Sequence, residues 1–353
     1  MVPPHSGQAD QVRFRCDRGQ QDRGLSANRG YDQRQQLAQS SAQSDNVAVV
    51  LRLIQPRRCV FSTALALRDA RIAIVGLGLM GGSLALACKH AGLGSLLTGV
   101  TRRQETAEQA LAMGAVDRAT TDLAAGLRDA DIVVLAAPVR TVLRQLHQLR
   151  GLPLSRCVLF DLGSTKRAIV QAMAGLPPAV QPVGCHPMCG KETSGLAAAD
   201  PALYQGAVWV ITPTSRTTPD ALSLAREVAL GVGARPLVLD AQRHDRLVAA
   251  ISHLPYLLAT ALVLATAELG TEDEMVWQLA ASGFRDTSRL AASDVDMMLD
   301  ILLTNRAAIG EALERASVQL ARLGDRLAQA DEPALRELLG AARRAKCHMP
   351  KSV

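Results

Sequence analysis

A glycine-rich turn between an apolar segment and a helix is the feature that most limits how this chain can fold. The apolar residues 72–75 predict a buried strand and residues 83–90 predict a helix, with Gly76-Leu-Gly78-Leu-Met-Gly81 between them. In such a unit the first glycine permits a tight turn, and the second lets the backbone approach a pyrophosphate. The third lets the helix pack closely on the strand, and the phosphates lie at the helix N-terminus. The sequence therefore predicts a dinucleotide site with contacts from Gly76, Gly78, Leu79, Met80 and Gly81.

Strand and helix patterns alternate through the middle of the chain. Strand patterns recur at residues 96–100, 131–135 and 157–160, and further candidates follow at 181–184, 207–212 and 235–239. This alternation predicts βαβ units and a doubly wound, mostly parallel sheet. After residue 241 the remaining segments suit helices, at 244–268, 274–281, 294–323 and 333–346. We therefore predict an α/β Rossmann-type domain followed by an all-α domain.

Four segments follow from these patterns: a leader at 1–69, a dinucleotide-binding domain at 70–240, a helical substrate and dimerisation domain at 241–346, and a tail at 347–353. The leader is rich in Arg, Gln, Ser and Asp and lacks sustained periodicity. That composition favours a disordered tail, or upstream sequence translated from an early start site, over a basic interaction arm. Numerous apolar helices in so small a C-terminal domain predict a homodimer that forms through them.

Composition argues against several classes of protein. Ten arginines and six aspartates in residues 1–70 account for most of the net charge of +6, which leaves about +2 for the rest. We therefore expect no nucleic-acid partner. We find no run of eighteen or more uncharged apolar residues and predict no membrane span. Seven cysteines without paired spacing, and an N-terminus unlike a secretory leader, favour the cytoplasm.

The end of the second predicted strand bears on the choice of cofactor. NAD sites usually carry an acidic residue there, but this chain has Thr101-Arg102-Arg103 and no carboxylate before Glu105. Hydroxyl and guanidinium groups suit a 2′-phosphate, so these three residues favour NADP over NAD. The alternative is a pair of solvated arginines. Ala137 and Pro138, which follow the next strand, are predicted on the nicotinamide side.

Two polar residues follow later strands, where ligands bind in open α/β sheets. Ser164 can meet the reacting centre, cap the next helix, or do both. His186 can take up a proton near neutral pH, as the oxidation of a hydroxyl requires. A metal site of Cys185, His186 and Cys189 is disfavoured, because neighbouring residues point to opposite sides of a strand and the spacing is unlike common zinc sites. We therefore predict no metal.

Two motifs in the helical part complete the candidate site. Ser252-His253-Leu-Pro255 lies in an apolar helical run. Ser282-Gly-Phe-Arg285-Asp-Thr-Ser-Arg289 places two arginines four residues apart, so on a helix they share a face. Paired guanidiniums suit a substrate with carboxylates, because each can bind one through two hydrogen bonds. The alternative is a solvated basic face.

In their order along the chain these motifs resemble those of the prephenate/arogenate dehydrogenases of tyrosine biosynthesis. The resemblance covers roughly residues 70–345 and rests on Gly76-x-Gly78-x-x-Gly81, Asp161-x-x-Ser164-x-Lys166, Gly184-x-His186-Pro-Met, Ser252-His-Leu-Pro255 and Gly283-Phe-Arg-Asp-Thr-Ser-Arg289. It implies oxidative decarboxylation of a cyclohexadienol, in which hydride leaves the carbon bearing the hydroxyl and loss of the ring carboxylate makes the ring aromatic. It further implies that His186 accepts the hydroxyl proton with help from Ser164. Substrate contacts would come from Arg289, Arg285, His253, Glu192 and Ser282.

The chain departs from the family pattern after His186. Cys189 and Lys191 stand where the family often has alanine and threonine, and Glu192 is retained where an acidic side chain can face the substrate side chain. Prephenate and arogenate therefore both remain possible substrates.

Two other classes of protein remain as alternatives. A β-hydroxyacid dehydrogenase also pairs a sheet domain with a helical one, but it usually relies on a lysine where this chain nearly lacks that residue type. A non-catalytic NAD(P)-sensing protein would not need a proton acceptor, a serine and an arginine pair in one pocket.

Overall fold

An eight-stranded sheet forms the centre of the protein in a computed structural model that describes residues 67–349. All neighbouring strands are parallel except β6 and β7. The strand order is β3-β2-β1-β4-β5-β6-β7-β8. The strands are β1 Arg71–Val75, β2 Leu96–Val100, β3 Arg118–Thr120, β4 Ile132–Leu135, β5 Cys157–Asp161, β6 Val180–Pro187, β7 Val208–Pro213 and β8 Arg235–Val238.

Neighbouring residues of a strand point to opposite faces, and the central strands β1 and β4 are buried on both faces, unlike the edge strands β3 and β8. In β1, Ile72 and Ile74 pack into one hydrophobic cluster, and Ala73 and Val75 pack into the other. The strands of the parallel part therefore read as continuous apolar runs, as strands buried on both faces usually do.

Six helices accompany the strands, and the described residues that follow β8 are mostly helical. The first six are α1 Leu79–His90, α2 Gln104–Ala112, α3 Leu123–Leu127, α4 Val139–Leu149, α5 Arg167–Met173 and α6 Pro219–Gly231. After β8 come α7 Ala241–Val248, a π-helical turn at Ala249–His253, α8 Leu254–Glu272, α9 Met275–Gln278, α10 Ser282–Ser288, α11 Val295–Thr304 and α12 Arg306–Ala328. Among the described residues, 67–330 form one compact unit, and α13, Glu332–Cys347, belongs to another. The predicted fold class is confirmed.

The topology brings the ends of several strands to one edge of the sheet. The winding reverses between β1 and β4, which is the position where open α/β sheets bind their ligands. Leu135 pairs with Asp161 and Phe160 pairs with Val183, so β4, β5 and β6 end at the same edge. The glycine turn follows the neighbouring strand β1, Ser164 follows β5, and His186 lies at the end of β6.

Two details differ from the sequence predictions. The strand β3 was missed because it has only three residues, none of them fully buried. The helix predicted over 294–323 is divided at Asn305, whose backbone leaves helical geometry at φ −119° and ψ 23°. Its side chain donates a hydrogen bond to the Asp245 carbonyl at 2.8 Å, so the interruption serves a contact with α7. The predictions for residues 1–66 and for the end of the tail lie outside the described residues.

One continuous helix has the length and composition of a membrane-spanning segment, which the sequence analysis did not predict. Within residues 67–349, Ala241–Glu272 is long and apolar enough to cross a membrane by length and composition, although core helices of soluble proteins pass the same test. Its most apolar window has a mean hydropathy of 2.0 and is 22% buried. The sequence of this helix contains no unbroken apolar run of eighteen residues, because Ser252, His253 and Thr260 interrupt it. The helix also carries buried polar residues, described below.

Candidate active site

The glycine turn has the geometry that a dinucleotide phosphate site requires. Gly76 adopts φ +101°, and a Cβ there would lie 2.5 Å from the carbonyl oxygen of Ala136. A Cβ on Gly81 would lie 1.9 Å from the Gly76 carbonyl oxygen, so only glycine allows α1 to pack this closely. A Cβ on Gly78 would have no atom within 4 Å. The turn is therefore closed on the protein side and open at the glycine that faces a pyrophosphate.

The other predicted cofactor residues surround this turn. Leu79 and Met80 begin α1 and are half-buried, and the Met80 carbonyl accepts a hydrogen bond from the Tyr204 hydroxyl at 2.6 Å. Ala137 and the exposed Pro138 follow β4, directly after the Ala136 backbone that lies against Gly76. The structure thus brings together the predicted residues of the β1 and β4 ends.

The end of β2 presents two exposed arginines. Thr101 is buried, and its hydroxyl donates to the Arg103 carbonyl at 2.8 Å. Arg102 and Arg103 are exposed, and within the described residues neither guanidinium has a hydrogen bond or an ion pair. Any recognition of a phosphate at this strand end therefore falls to the arginines, because the threonine hydroxyl is already engaged.

A buried ion pair fixes the backbone beside His186. The Lys166 ammonium contacts the Asp161 carboxylate and donates to the Cys185 carbonyl at 2.6 Å. Asp161 in turn accepts hydrogen bonds from the amides of Cys185 at 3.0 Å and Gly163 at 2.8 Å. Burial raises the pKa of Asp161, and Lys166 and the two amides oppose that shift. Because a buried charge is costly without partners, this fully bonded pair holds the loop after β5 firmly against β6.

The side chain of His186 lies on the opposite face of β6 from Cys185 and belongs to a chain of polar contacts. Its Nδ1 is 2.8 Å from Nε2 of His244, and the two rings meet edge to face with centroids 5.0 Å apart. Nδ1 of His244 is 2.8 Å from Oδ1 of Asp245. His244 and Asp245 are both buried, whereas His186 is partly exposed. Burial lowers the pKa of His186 well below its usual value of 6.5, and His244, Lys166 and His253 lower it further.

The side chain of Asp245, which belongs to α7, also caps the start of helix α5. Its Oδ1 accepts from the Lys166 amide at 2.7 Å, and its Oδ2 accepts from the Arg167 amide at 2.8 Å. These amides at the start of the helix have no partner within it, so the carboxylate from α7 acts as their cap. The sequence alternative in which Ser164 caps this helix is wrong. Ser164 is half-buried, and within the described residues its hydroxyl forms no hydrogen bond.

His253 lies deeper than the sequence interpretation placed it. It is 1% exposed in the π-helical turn, and Asn305 approaches its Nδ1 at 3.3 Å. Burial lowers the pKa of His253 to about 4. Helical turns of this rare type frequently occur at functional sites. A direct substrate contact from His253 stays a prediction.

The predicted substrate-binding residues on α10 lie at the surface. Ser282 and Arg285 are exposed, and Arg289 pairs with Glu192 at 2.6 Å with 60% and 76% of their side chains exposed. Such a pair stabilises a protein by only about 0–1 kcal/mol, so a ligand carboxylate can replace Glu192 at little cost. Lys191 is bonded to Asp200 at 2.8 Å.

The cysteines around His186 are poor metal ligands. Burial raises the pKa of Cys185 to about 12 and that of Cys189 to about 11, which disfavours the thiolates that bind metals. Among residues 67–349, no group of three His, Cys, Asp or Glu side chains is placed to hold a metal ion.

Sequence reasoning missed His244, Asp245 and Asn305. His244 and Asp245 lie in a polar segment, residues 242–246, that precedes the apolar run, so their residue types do not mark them as part of a site. Nothing in the sequence shows that their partners lie at residues 166, 167 and 186.

A glycine turn of the dinucleotide-binding type and a partly exposed histidine at the same edge of the sheet form an arrangement typical of nicotinamide-dependent dehydrogenases. Two family models match the chain: "Prephenate dehydrogenase, nucleotide-binding domain" over residues 84–238 and "Prephenate dehydrogenase, dimerization domain" over residues 240–341. The chain belongs to the prephenate dehydrogenase family, whose members carry out NAD-linked oxidative decarboxylation in tyrosine biosynthesis.

Individual relatives give the same assignment. A prephenate dehydrogenase of Bacillus subtilis is 36% identical over 67% of this chain and 64% of its own length. A prephenate dehydrogenase of Lactococcus lactis is 34% identical over 75% of this chain and 73% of its own. The crystal structure of Aquifex aeolicus prephenate dehydrogenase with hydroxyphenyl propionate and NAD+ is similar, with a TM-score of 0.75 and 29% identity over 82% of this chain and 100% of that one. The structure of Synechocystis arogenate dehydrogenase has a TM-score of 0.67 and 32% identity, over 78% and 98%.

The glycine turn generates a matched pair of variants. We expect Gly81→Ala to lower the free energy of unfolding by about 2–3 kcal/mol, because its Cβ must displace backbone. We expect Gly78→Ala to change that energy by less than about 1 kcal/mol but to weaken dinucleotide binding about tenfold or more, since its methyl lies where the pyrophosphate approaches. Chemical denaturation and cofactor titration measure both. Equal stabilities, or an unchanged affinity of Gly78→Ala, would contradict this account of the turn.

Proposed function

We propose that this chain oxidises prephenate or arogenate with loss of carbon dioxide, passing hydride to a nicotinamide cofactor in the synthesis of tyrosine. The observation that carries the proposal is His186, a neutral imidazole at the end of β6 that is partly open to the sheet edge holding the glycine turn. The resemblance of the chain to prephenate and arogenate dehydrogenases supports this substrate class.

The chemistry requires a proton acceptor, a hydride acceptor and groups that position the substrate ring. His186 accepts the proton of the ring hydroxyl as hydride leaves the same carbon, and the bond to the ring carboxylate then breaks with release of carbon dioxide. A nicotinamide cofactor held at the Gly76–Gly81 turn would supply the hydride acceptor. Because the lost carboxylate leaves its electron pair in the ring, the product is aromatic and the protein has to position groups more than supply a strong acid. Ser164, whose hydroxyl is not used by α5, assists at the ring hydroxyl.

Carboxylate recognition falls to α10 and the residue that follows it. A substrate carboxylate replaces Glu192 as the partner of Arg289. Arg285 and Ser282 are exposed on the same segment. The released Glu192 can then face the amine of arogenate or be repelled by the keto acid side chain of prephenate. His253 supports this pocket from within the helical part.

A direct assay tests the proposal. Purified protein is given prephenate or arogenate with NAD or NADP, and reduced cofactor is followed by absorbance. We expect turnover with at least one of the four combinations. His186→Asn should lower kcat by about 10²- to 10⁴-fold, because it removes the proton acceptor, and should leave cofactor affinity unchanged. No turnover by the unaltered protein in any combination would overturn the proposed function.

We also propose that NADP is preferred over NAD. The support is the exposed pair Arg102 and Arg103 after β2, where Glu105 is the nearest carboxylate in the sequence and lies in the first turn of α2. Hydrogen bonds to charged groups contribute about 1.5–3 kcal/mol, so the pair is sufficient to discriminate a 2′-phosphate.

The charges at this strand end generate the next prediction. Replacing Arg102 and Arg103 together by alanine should raise KM for NADP by about 10- to 100-fold and leave KM for NAD within about twofold. Arg128→Ala, which removes an exposed arginine just after α3, serves as the control and should change neither value. An equal effect on both cofactors would refute the assignment of the arginines.

A homodimer through the helical part is the third proposal. Ala241–Glu272 exposes Ile251 at 68%, Leu264 at 61% and Leu269 at 51%, and apolar area of this kind favours association. The matching dimerization-domain model supports the same interpretation. Sedimentation should give twice the chain mass of 37.5 kDa, and a monomer at micromolar concentration would contradict the proposal.

We place the protein in the cytoplasm, because Cys88, Cys157, Cys185 and Cys189 are free thiols.

A further inference from the structure

The protons in the chain of contacts from Asp245 to His186 can be assigned from the chemistry of the groups. An ionised carboxylate only accepts hydrogen bonds, so Nδ1 of His244 donates to Asp245. In a neutral imidazole the other nitrogen is then an acceptor, so Nε2 of His244 receives the hydrogen bond from Nδ1 of His186. His186 is left with its lone pair on Nε2, the nitrogen that is not engaged with His244.

We propose that Asp245 and His244 are positioning residues that hold His186 in the tautomer able to accept the substrate proton, an inference that rests on the proposed function. When Nε2 of His186 takes up the hydroxyl proton, the Nδ1 proton can move to Nε2 of His244. The positive charge then lies on His244, next to the Asp245 carboxylate. The three residues His186, His244 and Asp245 together have gained one proton. Asp245 and His244 together therefore orient the base and stabilise its charged form.

The surroundings of this chain hold it in one arrangement. Asp245 is fixed by the amides of Lys166 and Arg167, and its own carbonyl accepts from Asn305. The titratable or charged groups that face His186 are Lys166, His244 and His253. Lys166 is paired with Asp161, and His253 is buried and neutral. Of the three groups, His244 is the one with a ring nitrogen hydrogen-bonded to His186.

A purely structural role for the pair accounts for only half of these contacts. A cap for α5 requires the carboxylate of Asp245 but not a histidine at 244. The ring of His244 has its second nitrogen directed at the proposed base, 58 residues away in sequence. A residue kept only for packing would need no such contact.

Two substitutions at one position test the inference. His244→Phe keeps a planar ring but removes the acceptor, whereas His244→Gln places an amide oxygen close to where Nε2 lies. We expect His244→Phe to lower kcat about 10²-fold with KM within about threefold, and His244→Gln to stay within about tenfold of the unaltered kcat. Melting temperature and cofactor affinity show that both variants are folded. Equal kcat values for His244→Phe and the unaltered enzyme would overturn the inference and leave the proposed function standing.

A measurement on the unaltered chain decides the question even if His244→Phe does not fold. Nitrogen-15 NMR of histidine-labelled protein reports which ring nitrogen carries the proton, and the His186→Gln variant identifies the signal of His186 by its loss. We expect His186 protonated at Nδ1 and bare at Nε2 above pH 7. Protonation at Nε2 would overturn the inference, whereas absence of turnover by the unaltered enzyme would instead overturn the proposed function.

Discussion

The carboxylate of Asp245 joins parts of the protein that are far apart in sequence. It accepts hydrogen bonds from two amides at the start of α5 and from the ring of His244, while Asn305 holds its backbone carbonyl. A carboxylate that is only 3% exposed is tolerated because these donors replace its water. The same contacts fasten the helical part of the chain to the sheet edge where the cofactor turn lies.

A second buried carboxylate completes the support of His186. Asp161, through Lys166 and the Cys185 amide, fixes the backbone of β6 one residue before the histidine. Asp245, through His244, fixes the ring. His186 is therefore held from both its main chain and its side chain. The proposed substrate-binding residues Arg289 and Glu192, in contrast, form an exposed ion pair.

Residues with local causes were predictable from the sequence, and those with distant causes were not. The glycine turn could be predicted because Gly76, Gly78 and Gly81 act on neighbouring backbone, and the alternating strands because burial on both faces demands apolar runs. Capping of α5 was one of the two roles that the sequence left open for the nearby Ser164, but the acceptor is Asp245, 79 positions from Lys166. His244 was missed for the same reason, since its role depends on β6 meeting α7. The short strand β3 was missed because it carries too little burial to leave a pattern.

The claim that His186 is the neutral proton acceptor is tested most directly by the pH dependence of kcat/KM. Burial lowers the pKa of His186 well below 6.5, and the base works only when it is neutral. The rate should therefore stay level from about pH 8 to below pH 6.5 and fall about tenfold per pH unit only in stronger acid. The residual activity of His186→Gln should lack that fall. A decline with its midpoint at or above pH 6.5, or the same decline in the variant, would contradict the account.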